Sequence, residues 1–154
     1  MKAFDIEERV NKAKRLFKED GYNCCQAVVL AYNDIFGMDD MTAASISSGF
    51  GGGMGRMREV CGSVSGMVIL AGLLSPAADP SDKAGRTGNY ALVQDVAGEF
   101  RQKNGSIVCK ELLGLVPMGS CRVLHQNRRN HRTGHLSITR SVHARNLSAY
   151  LQGS

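Results

Sequence analysis

Residues 51–66, GGGMGRMREVCGSVSG, place Cys61 just after a glycine-rich stretch and at the start of an apolar run. The dinucleotide fingerprint G-x-G-x-x-G is absent, and the Gly-Lys-Ser/Thr of a phosphate-binding loop is absent too, because Arg56-Met57 follow the last glycine of the stretch. The residue in this stretch that could do chemistry is therefore Cys61, through its thiol. Glycines allow close approach, so we predict that four of them leave space beside the sulfur for a partner thiol, a metal or a small substrate: Gly51, Gly52, Gly53 and Gly55.

Cys61 is predicted to lie near the N-terminus of a helix over 58–74. The free N–H groups and the dipole of a helix start favour a thiolate, so we expect the thiol pKa to fall below its ordinary value of about 8.5. Arg56 and Arg58 would add positive potential if they fold toward the site, whereas Glu59 would oppose it. Burial favours the neutral thiol, so this expectation holds only for a partly accessible sulfur.

Three further cysteines could share a site with Cys61. Cys24 lies on the apolar face of a predicted helix, Cys109 begins another, and Cys121 follows a Pro-Met-Gly-Ser break. The chain contains neither C-x-x-C nor C-x-x-C-H, so local zinc-finger spacing and covalent haem attachment are both missing. A shared site would have to be assembled from separate helices. Cys25 is rotated by about 100° from Cys24 and should point away from it.

The elements that must position these thiols read as helices. Ile6, Val10, Ala13 and Phe17 form one apolar stripe, and a largely buried helix fits 23–36. Asp39 or Asp40 could cap a short helix to about Ser48. After the helix over 58–74, a further apolar stripe predicts another helix; it consists of Tyr90, Val93, Ala97 and Phe100. A final helical turn is predicted at 107–114. Strand alternation is missing, so we predict an all-α, bundle-like domain with a glycine-rich loop before a buried helix.

Charge divides the chain into two parts. All 14 acidic residues lie at or before Glu111, whereas the remainder carries arginines, all four histidines and no lysine. We therefore predict a four-cysteine helical domain over 1–121 and a basic tail over 122–154. The tail has one aromatic residue, Tyr150, so base stacking is weakly supported and no nucleic-acid partner is expected. Its histidines could bind metal adventitiously.

Composition bounds the setting of the protein. The 154 residues are 43% hydrophobic, without the run of about eighteen apolar residues that a membrane span needs. The charged first twenty residues offer no apolar signal region, so we expect a cytoplasmic protein with reduced thiols. Five cysteines there suggest ligands or reactive groups rather than a disulfide framework.

Four segments together resemble one family. GYNCCQAVVLAY, GFGGGMGRMREVCGSVSG, NGSIVCKELLG and Cys121 are similar, in this order, to the signature segments of the C_GCAxxG_C_C family, an all-helical group of about this length whose redox role is inferred from its cysteines. The resemblance covers residues 7–121 and assigns the signature positions to Cys24, Cys61, Cys109 and Cys121. Ser63 stands for the alanine of CGAxxG, and Met57-Arg58 depart from the usual small residue beside the glutamate. The tail after Cys121 departs most, and one hypothesis is that its origin lies outside the family.

Two functions stay open at this point, beside the alternative that the cysteines only pack. In the first, Cys61 is the attacking thiolate of a thiol redox protein and another signature cysteine resolves it. In the second, Cys24, Cys61, Cys109 and Cys121 are thiolate ligands of a metal ion or an iron–sulfur cluster. The partner would be a small molecule or a redox protein, and a homo-oligomer is compatible with the sequence.

Overall fold

The computed structural model describes residues 5–115, and in this range it confirms the all-α prediction. No strand or sheet is formed there; one isolated antiparallel bridge joins Val60 to Val108. Short 3-10 turns at Asn33–Phe36 and Ser48–Phe50 extend two of the helices. The α-helices are α1 (Ile6–Lys18), α2 (Cys24–Tyr32), α3 (Asp40–Ser47), α4 (Gly62–Leu74), α5 (Lys83–Asn104) and α6 (Cys109–Leu112).

Helix α2 lies at the centre of the fold, packed against α1, α3 and α4. Every residue of α2 except Gln26 is buried, as the sequence predicts for a helix that is apolar all round. Asn23 starts the helix with a capping box: its side chain accepts from the N–H groups of Cys25 and Gln26, and the Gln26 side chain accepts from the N–H of Asn23. This cap fixes the point in the chain at which Cys24 enters the core.

The two faces of α2 belong to two different apolar clusters. Val28, Ala31 and Tyr32 join the cluster that α4 and α5 complete with Met67, Leu70 and Phe100. Its other face packs with residues of α1 and α3 in a second cluster, which consists of Leu16, Cys25, Ala27, Val29, Leu30 and Ala43. Neighbouring residues of α2 therefore face different surroundings.

Helix α4 packs closely against α2 because two of its glycines face that helix. A Cβ atom on Gly66 would lie 2.9 Å from Cβ of Val28 and 3.1 Å from the carbonyl oxygen of Cys25. Gly62, one turn earlier, is equally tight against the start of α2. A larger residue at either position would push the two buried helices apart.

Three sequence predictions about the helices need correction. The helix predicted over 58–74 begins at Gly62, because the preceding residues pair with the 107–110 segment instead. In α1 the buried residues are Val10, Ala13 and Leu16, and Phe17 is 36% exposed. In α5, Tyr90 is 58% exposed, because this long helix is covered mainly by α4 and buries its later residues, Val96 and Phe100.

The membrane prediction can be checked on the described helices. None of the helices within residues 5–115 combines the length and the apolar character that crossing a membrane requires.

The close contact between α2 and α4 predicts opposite effects for two alanine substitutions in one helix. Gly66→Ala should lower the free energy of unfolding by about 2 kcal/mol, because the new methyl group meets Val28 and a backbone carbonyl. Gly72→Ala is the matched control: no atom outside the helix lies within 4 Å of its Cβ position, so it should raise stability by about 0.5–1 kcal/mol. Urea unfolding of both variants measures the difference. Equal effects would contradict the packing of α2 on α4.

Candidate functional site

The glycine-rich loop between α3 and α4 is a left-handed turn. Five successive residues, 52–56, have φ between 57° and 73°, and Arg58 has φ 66°. Backbone hydrogen bonds close the turn, from the N–H of Arg58 to the carbonyl of Gly52 (3.3 Å) and from the N–H of Glu59 to that of Gly53 (3.2 Å). L-residues adopt this conformation at a cost of about 1–2 kcal/mol each, which explains the concentration of glycine.

The end of this loop pairs with the segment before α6. The N–H of Cys61 donates to the carbonyl of Ile107 (2.8 Å), and the N–H of Cys109 donates to that of Glu59 (2.6 Å). A third bond joins the N–H of Lys110 to the carbonyl of Arg58 (3.1 Å). This short antiparallel pairing fixes Cys61 at the start of α4 beside Cys109 at the start of α6.

Glycines bring Cys24 and Cys109 close to the loop. A Cβ on Gly62 would lie 2.3 Å from Sγ of Cys24 and 2.8 Å from the carbonyl oxygen of Phe50, and a Cβ on Gly53 would lie 2.6 Å from Cβ of Cys109. Because Gly62 and Gly53 have no side chains, Cys24 and Cys109 can occupy the space beside them.

The other predicted glycines play different parts. Gly51 lies against the Asn23 side chain, and Gly52 lies under the Arg56 side chain. A Cβ on Gly55 would meet one atom within 4 Å, the carbonyl oxygen of Gly49 at 3.8 Å. The space beside Gly51, Gly52 and Gly53 is therefore filled by other residues of the protein. That these glycines bind a cofactor or substrate stays a prediction.

The Cys24 thiol lies near those of Cys61 and Cys109. The Cys24 thiol interacts electrostatically with both Cys61 and Cys109 and raises the pKa of each. All three residues are buried, with 6%, 2% and 2% of their surfaces exposed, respectively. They come from the start of α2, the start of α4 and the start of α6. Cys121, the fourth predicted site residue, lies outside the described residues.

Cys25 is fully buried in the second cluster, where it packs with Leu16 and Ala43, whereas Cys61 belongs to the first. That Cys25 points away from a shared site stays a prediction, because its thiol interacts electrostatically with those of Cys24 and Cys61. Burial, followed by the neighbouring Cys24 and Cys61, raises the pKa of the Cys25 thiol to about 12.

The expected low pKa of Cys61 is wrong for this structure. Burial, followed by the neighbouring Cys24 thiol, raises the pKa of the Cys61 thiol to about 11. The Ser63 and Val64 N–H groups at the start of α4 and the Ser63 hydroxyl all lower it, so the helix terminus acts in the predicted direction but is outweighed. The condition of a partly accessible sulfur is not met.

Two side chains have roles that differ from the sequence interpretation. The sequence indicates only a small residue at Ser63 in place of alanine, yet the Ser63 hydroxyl interacts with the Cys61 thiol; its position two residues after a cysteine at a helix start is the available signal. The sequence predicts that Arg58 would add positive potential if it folds toward Cys61, but its guanidinium acts on the Cys109 thiol. Burial raises the pKa of Cys109, and Arg58 acts against this rise.

Residues 5–115 do not contain a complete metal-binding site. No group of three or more His, Cys, Asp or Glu side chains in that range is placed to hold a metal ion. The four histidines and Cys121 all lie outside it. The predicted ligand set of Cys24, Cys61, Cys109 and Cys121 therefore stays a prediction.

Comparison with known protein families finds one match. Residues 22–142 match the family model described as "Putative redox-active protein (C_GCAxxG_C_C)". The chain belongs to this family. No curated protein and no solved structure matches it. The C_GCAxxG_C_C match continues past residue 121 to residue 142 and so includes part of the basic tail. The division into 1–121 and 122–154 stays a prediction.

The buried thiol of Cys25 predicts a loss of stability at high pH. Its pKa is higher in the folded state than in the unfolded chain, so its contribution is complete below about pH 9 and is lost as the pH rises toward 12. In reduced protein, the free energy of unfolding should fall between pH 9 and 11 by up to about 1.4 kcal/mol per pH unit for this thiol.

Urea unfolding of the Cys25→Ala variant at the same pH values checks this assignment. The variant should have a shallower pH dependence than the parent, with the remaining slope carried by groups such as Cys61. An unchanged slope would show that Cys25 ionises equally well in the folded protein.

Proposed function

We propose that this protein is a thiol-based redox protein in which two of the clustered cysteines, Cys24, Cys61 and Cys109, form a reversible disulfide. The observation that supports it most is the electrostatic interaction of the Cys24 thiol with those of Cys61 and Cys109. Gly62 has no room for a side chain beside Cys24, and Gly53 has none beside Cys109. Membership of a family described as redox-active supports the same class of function.

The proposed reaction is thiol–disulfide exchange with a partner disulfide, either on a protein or on a small molecule. One cysteine thiolate attacks the partner disulfide, and one partner sulfur leaves as a thiol. A second cysteine then attacks the mixed disulfide and releases the other partner sulfur. Two electrons pass from the protein thiols to the partner, and the two thiol protons are taken up by the two leaving sulfurs. The four described cysteines are free thiols, which suits a reducing compartment, and we propose the cytoplasm.

The alternative function is metal or iron–sulfur binding by cysteine thiolates. The burial that makes Cys61 a poor nucleophile favours this alternative, because a metal ion displaces the thiol proton on binding. The donors within residues 5–115 do not by themselves fit a metal centre, so Cys121 would have to complete it.

Mapping of disulfides across a series of glutathione redox buffers tests the proposed function. The full-length protein, purified without oxygen, should form one intramolecular disulfide among its signature cysteines and lose two hydrogens in mass. We expect a midpoint between about −180 and −300 mV, the range of cellular thiol couples. Metal analysis of the same sample covers the alternative: tightly bound metal in stoichiometric amount, with no disulfide under any buffer, would contradict the redox proposal.

Cys25 provides the matched control for this experiment. Cys24→Ala should abolish or displace the disulfide, whereas Cys25→Ala, one residue later in the same helix, should leave its position and midpoint nearly unchanged. Equal losses in the two variants would mean that the variants act through packing of α2 and not through a shared site.

A further inference from the structure

The three thiols of the proposed exchange are all covered in the described structure. Cys24, Cys61 and Cys109 are buried, yet thiol–disulfide exchange requires that a sulfur of the protein contacts a sulfur of the partner. Reaction with a partner from solution therefore requires that some segment moves away from a thiol. The segment that lies against Cys109 is the left-handed turn over residues 51–58.

This turn lies between Cys109 and the solvent. Its inner residue, Gly53, is buried against the cysteine, since a Cβ atom on Gly53 would lie 2.6 Å from Cβ of Cys109. The next four residues of the turn are exposed, and among them Met54 is 41% exposed and Met57 is 63% exposed. Movement of the turn would therefore uncover Cys109 without displacing a helix.

Both ends of the turn are anchored to the helical part of the fold. Before the turn, the Asn23 side chain donates to the carbonyl of Ser48 (2.9 Å). After the turn, the N–H of Cys109 donates to the carbonyl of Glu59 (2.6 Å). The chain on either side of residues 51–58 is therefore fixed, and movement is confined to the turn between these anchors.

The tip of the turn is closed by its own backbone and is strained. The N–H of Arg56 donates to the carbonyl of Gly51 (3.0 Å), and the N–H of Met57 donates to that of Met54 (3.0 Å). Met54 and Arg56 have φ of 57° and 67°, a conformation that residues other than glycine adopt at a cost. Unwinding of the turn releases this strain, and the exposed N–H and carbonyl groups of the tip then bond to water.

We propose that the turn over residues 51–58 is a lid that unwinds in the folded protein and thereby exposes the Cys109 thiol to a partner. This inference rests on the proposed redox function, for which it supplies the route from solvent to a buried thiol. Segments with exposed backbone hydrogen bonds and few buried side chains open locally at a lower free energy than the whole fold. The closed lid keeps the thiol covered, and its strain keeps opening accessible.

Two glycine-to-alanine substitutions separate opening of the lid from unfolding of the whole domain. Gly55, in the lid, has φ 57°, and Gly37, at the end of the 3-10 turn after α2, has φ 63°. A Cβ atom would have space at both positions: its nearest neighbour lies 3.8 Å away at Gly55, and no neighbour lies within 4 Å at Gly37. Each alanine therefore adds backbone strain of the same kind without a steric clash.

Alkylation by iodoacetamide, followed at each cysteine by peptide mass mapping of the reduced, full-length protein, reports the population of opened states. Gly55→Ala should raise the rate at Cys109 about threefold to tenfold, whereas Gly37→Ala should leave it within about twofold. Cys25 is the internal control: it packs with residues of α1 and α3 away from the lid, so its rate should respond equally to the two variants.

Two results would overturn the lid. If both variants accelerate alkylation of Cys109 equally, unfolding of the whole domain exposes the thiol; if Gly55→Ala does not accelerate it, the turn does not control access. The proposed function fails on a different result, the absence of any intramolecular disulfide across the redox buffers.

Discussion

The close approach of α2 and α4 is the constraint on which the rest of the structure depends. At Gly62 the separation is set by the Cys24 sulfur, and at Gly66 by Val28 and a backbone carbonyl. Because α2 is buried on almost every side, its position fixes the two apolar clusters and the entry point of the first thiol. The pair of glycines thus serves packing and the thiol site together.

Burial and polar contacts compete for the charge state of the thiols. The start of α4 supplies the N–H groups of Ser63 and Val64 that favour a thiolate at Cys61, yet burial outweighs them. Cys109 is equally enclosed but has the Arg58 guanidinium beside it. Buried neutral thiols are stable and slow to react.

Local patterns predict the helices well, whereas the site depends on long-range pairing. The period of apolar residues and the turn residues indicate an all-α fold, and the position of Cys25 on α2 follows from helical geometry. The pairing of residues 58–61 with 107–110 has no periodic signal in the sequence. It moves the start of α4 to Gly62 and directs Arg58 to Cys109. The depth of burial at Cys61 likewise depends on the whole fold.

The positions of the sulfur atoms test the central claim most directly. A crystal structure of the reduced, full-length protein, with the sulfurs located by their anomalous scattering, would measure them without reference to any activity. The account predicts that Sγ of Cys24 lies against Gly62, with Cys61 and Cys109 as neighbours, and that Cys25 packs beside Leu16 and Ala43. A structure in which other side chains separate Cys24 from both Cys61 and Cys109 would contradict it.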